Sequence, residues 1–237
     1  MSGVIDFHSH ILPGIDDGSH NVDESIALLR MEAEQGINHV VATPHFYPQH
    51  DTPERFLKRR AEAERILREE MQAHAGMPQL SIGAEVYFFN GISNSDAISE
   101  LTIDRKRCIL IEMPPLPWTN AMYRELEGLY GKQGLLPIIA HIDRYIGRFR
   151  TYGIPDRLAQ MPVLVQANAE FFLKKSTSSM ALRMLKKNQI HLLGSDCHNL
   201  SSRKPNLGEA LDLIRKRMGE ESGEAICAWQ QHVLQNE

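Results

Sequence analysis

Cysteine is scarce in this sequence, and what there is does not pair. Three cysteines stand at 108, 197 and 227, an odd number with no CxxC spacing. That excludes a secreted disulfide scaffold and fits a reducing compartment. A dominant charge is lacking too: the net charge is −4 with no basic stripe, so nothing favours nucleic acid as a partner. No apolar run reaches the roughly 18 residues of a membrane span. No basic segment followed by an apolar stretch opens the chain, so the expectation is a cytoplasmic protein without a signal peptide. A Gly-rich phosphate loop after the first strand-like segment is also missing, and "HSHILPG" occupies its place.

What is there is ordinary globular material, 42% hydrophobic and 24% charged over 237 residues, enough to bury a large core. With no linker, internal repeat or low-complexity tract, residues 1–237 read as a single domain. Strand-like runs alternate with helical patterns. The strands are "VIDF" (4–7), "HVVAT" (39–43), "LSIGAEVYF" (80–88), "CILIEM" (108–113), "LLPIIAH" (135–141), "PVLVQAN" (162–168) and "IHLLGSD" (190–196). Helices are expected over 22–35, capped by Asn21 with Glu24 three later, and from Pro53 to about 75. Further helices are expected over 119–133, 176–188, 206–218 and 220–234. On the second of these, Glu62, Glu64, Arg65, Arg68, Glu69 and Glu70 read as a solvated face. The Ser-rich "KKSTSS" (174–179) reads as a helix entry. Short buried strands alternating with helices imply a parallel sheet, and seven such units usually close into a TIM-like (β/α) barrel.

The polar residues fall at the strand ends. His8 and His10 end the first, His45 follows the second, Glu85 and Glu112 end the third and fourth, and His141 ends the fifth. Gln166 and Asn168 end the sixth, and Asp196 and His198 the seventh; Asp17 lies in the "DDG" just beyond the first. Residues one apart on a strand share a face, so His8 can converge with His10 and Asp196 with His198. In a parallel barrel all these ends meet at one rim, where active sites sit. Five imidazoles (His8, His10, His45, His141, His198) and four carboxylates (Asp17, Glu85, Glu112, Asp196) are too many for one tetrahedral zinc. They suit two or three divalent ions with bridging carboxylates, and mixed nitrogen and oxygen donors without thiolate point to manganese, iron or zinc. Four carboxylates contribute about −4 and three divalent ions about +6, a net positive trap for a phosphate. Asp6, two residues before His8, is expected to orient a ligand. His20, His39, His50, His74, His191 and His232 lie on helices, in loops or at strand starts and read as ordinary structural histidines. Arg144 and Arg203 follow ligands and present forks matched to phosphate oxygens. Phe46, Tyr47, Tyr87, Phe88, Phe89, Trp118 and Tyr145 crowd the same ends; some can wall a phenyl pocket, although core packing suits most of them.

A competing motif shares the last stretch. In "CHNLSSR" (197–203) an arginine follows a cysteine at the spacing of cysteine-dependent phosphatases. Leu200 stands where such loops carry a glycine, and Asp196 opposes a thiolate. Full activity of a Cys197→Ser variant would remove this mechanism.

Taken together, "DFHSHILPGIDDG", "TPH", "GAEVYF", "LIEMP", "IAHIDRY", "QAN" and "GSDCHN" with Arg203 resemble the metal-dependent protein-tyrosine phosphatases of bacterial capsule and exopolysaccharide clusters. These belong to the polymerase and histidinol phosphatase (PHP) superfamily. The resemblance runs from residue 4 to about 205 in unchanged order. It departs at "HIDRY", where the family has "HxERY", and at Lys204-Pro205, where a double proline is common. It implies a distorted seven-stranded barrel, a cluster of two or three metals, commonly manganese, and the nine residues above as ligands. It further implies Arg144 and Arg203 as phosphate contacts and phosphotyrosine on a bacterial tyrosine autokinase tail as substrate. The expected reaction is attack by metal-activated hydroxide, with Arg144, Arg203, Asp17 and His45 as candidate catalytic residues. Rival readings are another PHP phosphoesterase such as a histidinol-phosphate phosphatase, a non-catalytic docking partner, and a metal-free barrel.

Overall fold

The structure, a computed structural model, describes residues 3–146 and 153–236. Strand β1 (Val4–Ser9) leads through "HSHILPGIDDGSHN" to helix α1 (Val22–Glu34). The Asn21 side chain accepts the Glu24 N–H at 2.9 Å and so sets that helix start. Gly36, at a φ of 80°, turns the chain out of it. Strand β2 (Ile37–Ala42) and the two-residue β3 (His45–Phe46) follow, then α2 (Pro53–Met71), capped by Thr52. Next come β4 (Gln79–Ile82), β5 (Glu85–Tyr87), three short 3-10 turns between 92 and 105, β6 (Cys108–Glu112), α3 (Asn120–Gln133) and β7 (Leu136–Ile139). The remainder is α4 (Ile154–Leu158), β8 (Leu164–Asn168), α5 (Ala169–Leu173), α6 (Ser178–Lys186), β9 (Leu192–Gly194), α7 (Leu207–Met218) and α8 (Glu220–Asn236).

All strand pairs are parallel, in a three-stranded sheet ordered β1-β2-β4 and a six-stranded sheet ordered β3-β5-β6-β7-β8-β9. The parallel α/β expectation is met, but the expected third strand is broken in two, and a separate two-residue strand, β3, follows the second. Pro44 has no N–H to extend β2 into β3. Gly83 separates β4 from β5, and a Cβ there would meet the Ile103 side chain at 3.0 Å. The break is held by cross-links: Gly83 N–H to the Ala42 carbonyl at 2.9 Å, Glu85 N–H to that of Pro44 at 3.0 Å, and Arg60 Nη1 to the Gly83 carbonyl at 2.9 Å. Arg60 is therefore a buried clamp, whereas Glu62, Glu64, Arg65, Arg68 and Glu69 on the same helix pair with one another near the surface and Glu70 pairs with His74.

Apolar residues fill two layers. Ile5, Phe7, Val41, Leu110, Ile138, Leu164 and Leu192 pack with one another and with Val233 and Leu234 of α8, inside the curl of the strands. A larger layer lies between strands and helices and includes Leu28, Leu29, Phe56, Leu126 and Phe172. The first and last strands meet at a seam. Asp196 N–H donates to the His8 carbonyl at 2.8 Å and His10 N–H to that of Cys197 at 2.9 Å. Gln230 of α8 bridges the seam from behind, donating to the Ile5 carbonyl at 2.7 Å and accepting the Leu193 N–H at 2.6 Å.

Candidate metal centre

The strands point their carboxyl ends at one place, and every predicted ligand lies there. His8 and His10, at the end of β1, bring their Nε2 atoms within 3.1 Å of each other. Glu85, at the start of β5, places Oε2 at 3.2 Å from the first, 3.3 Å from the second and 3.0 Å from His45 Nδ1. His141, just beyond β7, puts Nε2 at 2.7 Å from Glu85 Oε1 and 3.8 Å from Glu112 Oε1. Asp196 Oδ1 is 3.6 Å from His8 Nε2 and 3.5 Å from His10 Nε2. Asp17 Oδ1 lies 3.5 Å from His45 Nε2 and 3.4 Å from His198 Nε2. Buried His8, His10, Glu85, His141, Asp196 and His198 form the floor, with Asp17 exposed at the mouth.

The local chain is bent to achieve this. His141 and Asp196 adopt φ of 32° and 54°, a left-handed backbone that costs a non-glycine residue energy and is retained where the surroundings enforce it. Gly194 is required by close approach, since a Cβ there would sit 2.6 Å from that of His8.

The donor set fits cations. Ligand atoms about 2.1 Å from one ion lie about 3–4 Å apart from one another, the spacing seen here. Among the described residues, His45 Nδ1, Glu85 Oε2, Glu112 Oε2 and His198 Nε2 are buried with no hydrogen-bond partner, although donor atoms of neighbouring groups stand close by. Three overlapping groups can each hold an ion: His10, Asp17, His45 and His198; His8, His10 and Glu85; His45, Glu85 and Glu112. A carboxylate such as Glu85 can bridge two ions, whereas an imidazole nitrogen serves one. Nδ1 of His10 is already committed to Asp16, at 2.8 Å.

Neighbours fix the ring orientations. Gln166 Oε1 is 3.3 Å from His8 Nδ1 and also accepts the His141 N–H at 2.6 Å. His198 Nδ1 donates to the Asp196 carbonyl at 3.0 Å, which leaves Nε2 as the lone-pair nitrogen. Burial and the neighbouring His10 charge push the His198 imidazole down to about 3, so it is neutral. Burial opposes charge on His10, but Asp16 and Glu85 outweigh it and push that imidazole up to about 10. Burial likewise opposes charge on Asp196, yet His8 and Arg144 hold it below the usual carboxylate range.

Arg144 and Arg203 both donate to the Asp196 carboxylate, Arg203 at 2.8 Å, and Asn168 Nδ2 donates to it at 2.9 Å. Arg203 is presented by a folded loop in which Asn199 Oδ1 accepts the N–H of Ser201 at 3.0 Å and of Arg203 at 3.1 Å. Two of the loop amides that a thiolate mechanism would turn on phosphate are therefore spent on Asn199. Cys197 itself is fully buried, and burial with Glu32 and Asp6 pushes its thiol well up. The structure thus removes the cysteine reading. Asp6 holds His8 as expected, but through the backbone. Its Oδ1 accepts the backbone N–H of His8 and of Ser195, each at 3.0 Å, and no bond runs to the imidazole. The register of β1 against β2 shifts between Asp6 and Ser9, so simple alternation does not carry across.

Asp16 is the residue that sequence reasoning missed. It holds His10 and accepts the His45 N–H at 3.0 Å and the Gly18 N–H at 2.9 Å. Its only signal was adjacency to Asp17. Among the aromatics, Tyr47 stacks on His45 with centroids 5.0 Å apart, and Tyr87 lies 5.6 Å from Tyr47. Phe46, Phe88 and Tyr145 are core residues. The six histidines read as structural join none of the three groups.

Fold and site together define a class: a parallel α/β protein with a candidate polynuclear metal centre at the carboxyl ends of its strands. The chain belongs to the CpsB/CapC capsular polysaccharide synthesis family, whose model matches residues 4–234. Tyrosine-protein phosphatase CpsB of Streptococcus pneumoniae is 30% identical over 239 residues, covering 91% of each chain. Tyrosine-protein phosphatase YwqE of Bacillus subtilis is 28% identical, covering 92% of this chain and 86% of that one. A solved structure from work on YwqE and CpsB, described there as unique metal-dependent tyrosine phosphatases, superposes with a TM-score of 0.87 at 26% identity over 98% of this chain and 95% of that one. A lactonase from Listeria monocytogenes shares the fold alone, with a TM-score of 0.61 at 12% identity.

Proposed function

We propose that this chain is a metal-dependent phosphatase that hydrolyses phosphotyrosine on protein, acting on a bacterial tyrosine autokinase tail in capsular or exopolysaccharide synthesis. The observation that carries it is the convergence of five imidazoles and four carboxylates beside two arginines that share one carboxylate. We read residues 1–237 as one cytoplasmic domain and its two sheets as a single distorted barrel of seven interrupted strands. His8, His10, Asp17, His45, Glu85, Glu112, His141, Asp196 and His198 would hold two or three divalent ions, manganese first. Such ions supply a water acidic enough to attack phosphorus near neutral pH, together with charge for the phosphoryl oxygens.

The chain's own residues do the rest. Arg144 and Arg203 reach the outer edge of the centre and take the phosphoryl oxygens through their forks, as charge builds there. Tyr47, stacked on His45, offers a face to the substrate ring. Asp17 and His45 stand at the mouth, where whichever of them is not holding an ion would pass a proton to the departing phenolate. With a phenol pKa of about 10, that leaving group needs less help than an alkoxide.

The test is metal content with activity. Protein stripped by a chelator should lose turnover of a phosphotyrosine peptide, and manganese should restore it. His141→Ala and Asp196→Ala should each lower kcat by several orders of magnitude. Turnover by ion-free protein, or variants within a few-fold of the parent, would refute the proposal.

A further inference from the structure

A cavity opens on the same arginines and extends from Asp196 away from the centre, to residues that the metal centre does not use. It has a volume of about 450 Å3, and Arg144, Arg203, Asp196, Lys174, Lys204 and Asn206 are among the residues that line it. We propose that this cavity takes a second anionic group of the substrate, so that the chain prefers a phosphotyrosine flanked by a carboxylate side chain or another phosphate. The inference rests on the phosphatase reading and names the substrate class for it.

The charges around the cavity are unequal in what they leave free. Its carboxylates are already engaged. Asp196 accepts from Arg144, Arg203 and Asn168, Asp143 accepts the Asn168 N–H at 3.1 Å, and Glu170 pairs with Lys174 at 2.9 Å. Lys204 is exposed on the wall, and the Lys174 ammonium, more than half exposed, has donors to spare beyond its one partner. Asn206 stands at the start of the twelve-residue helix α7 without capping it, and its Oδ1 is buried with no partner. Turning that amide over would put its NH2 at this buried position, a donor in place of an acceptor. The helix start adds its own positive end. Ser201 and Ser202 complete the lining, with their hydroxyls donating to Asn199 Oδ1 at 3.1 and 3.4 Å.

The cavity shares Arg144 and Arg203 with the metal centre, so the two sites are adjacent. A phosphotyrosine on the centre would therefore place a residue close to it in the chain over Lys174 and Lys204. A small aryl phosphate would fill the centre and leave the second site untouched.

That contrast sets the experiment. Metal-loaded protein is assayed with p-nitrophenyl phosphate and with three phosphotyrosine peptides: one flanked by Asp and Glu, one by Asn and Gln, and one by a second phosphotyrosine. The acidic-flanked or doubly phosphorylated peptide should be favoured by about threefold to tenfold in kcat/KM, chiefly through KM, with the margin shrinking as salt is added. In the K174A/K204A variant that margin should vanish, while kcat/KM for p-nitrophenyl phosphate stays within about twofold. A margin only for the doubly phosphorylated peptide identifies the anion as phosphate; equal margins admit carboxylate as well. Equal kcat/KM for all three peptides in the parent, or a margin that survives in K174A/K204A, overturns the inference. Absence of turnover on every ester would instead sink the phosphatase reading. Fluorescence anisotropy with the same peptides would then still decide the cavity, with equal affinities counting against it.

Discussion

At position 16 a carboxylate with 6% of its side chain exposed grips the Nδ1 edge of His10, while its neighbour at 17 is 65% exposed and faces His45 and His198. The "DDG" signature was legible as a source of carboxylates, but sequence alone cannot say which one turns inward, because the turn at residues 13–18 decides it. Removing a carboxylate that orients a metal-binding imidazole typically lowers metal affinity by about 10- to 100-fold. Asp16→Ala should do so in a manganese titration, with the far-ultraviolet circular dichroism unchanged. Asp16→Asn, which keeps an acceptor oxygen, should fall between that variant and the parent.

The same pair gives a pH dependence. An unfolded histidine titrates near about 6.5, and His10 in the metal-free fold is held charged up to about 10. The stabilisation this supplies is complete below the unfolded value and is lost as pH rises through about 10. Asp16 has the opposite sense. Burial works against its charge, but His10 holds its pKa below the ordinary range, and its contribution fades only as pH falls through that lowered value. A metal ion on His10 Nε2 must displace the proton. Manganese binding at pH 7 should therefore release protons and tighten with rising pH. Calorimetry in buffers of different ionisation enthalpy reads this directly, and proton-neutral binding would contradict a charged His10 that gives up its proton to the ion.

Among the elements, the long periodic helices and the buried strands were readable because burial and caps leave marks at fixed spacing. Asn21 and Thr52 are examples. The break in the third strand was not. "LSIGAEVYF" reads as one continuous strand-like run, and Gly83 within it does not say that Glu85 starts a new strand in another sheet. The short turns between 92 and 105 and the five-residue α5 depend on what they pack against more than on propensity. Helix α2 was expected to run to about 75 and ends at Met71. A glycine at 194 could be seen, but its reason, the approach of the His8 Cβ, exists only once β1 and β9 lie side by side. Gly194→Ala should push these strands apart. A lowered melting temperature together with reduced manganese content would record it, and an unperturbed melting curve would contradict the geometry.

Across the whole molecule, the convergence of polar strand ends could be anticipated, since parallel strands joined by helices all finish at one pole. The sequence could not reveal how first and last strands are fastened. Gln230 does this from a helix 225 residues away from Ile5, and its amide satisfies a buried carbonyl and a buried N–H at once. Gln230→Leu would leave both unpaired, at a cost of about 1–3 kcal/mol for each buried polar group. Urea unfolding should shift its midpoint accordingly, and a change below about 0.5 kcal/mol would assign the seam to the backbone bonds alone.

That fastening has a bearing on biogenesis. The His8–His10 pair leaves the ribosome well before Glu85, His141 or Asp196 exists to join it, and the helix bearing Gln230 follows all of them. A nascent chain thus displays these two imidazoles without those partners for most of that interval, and the full set of donors can assemble only once Asp196 and His198 have emerged.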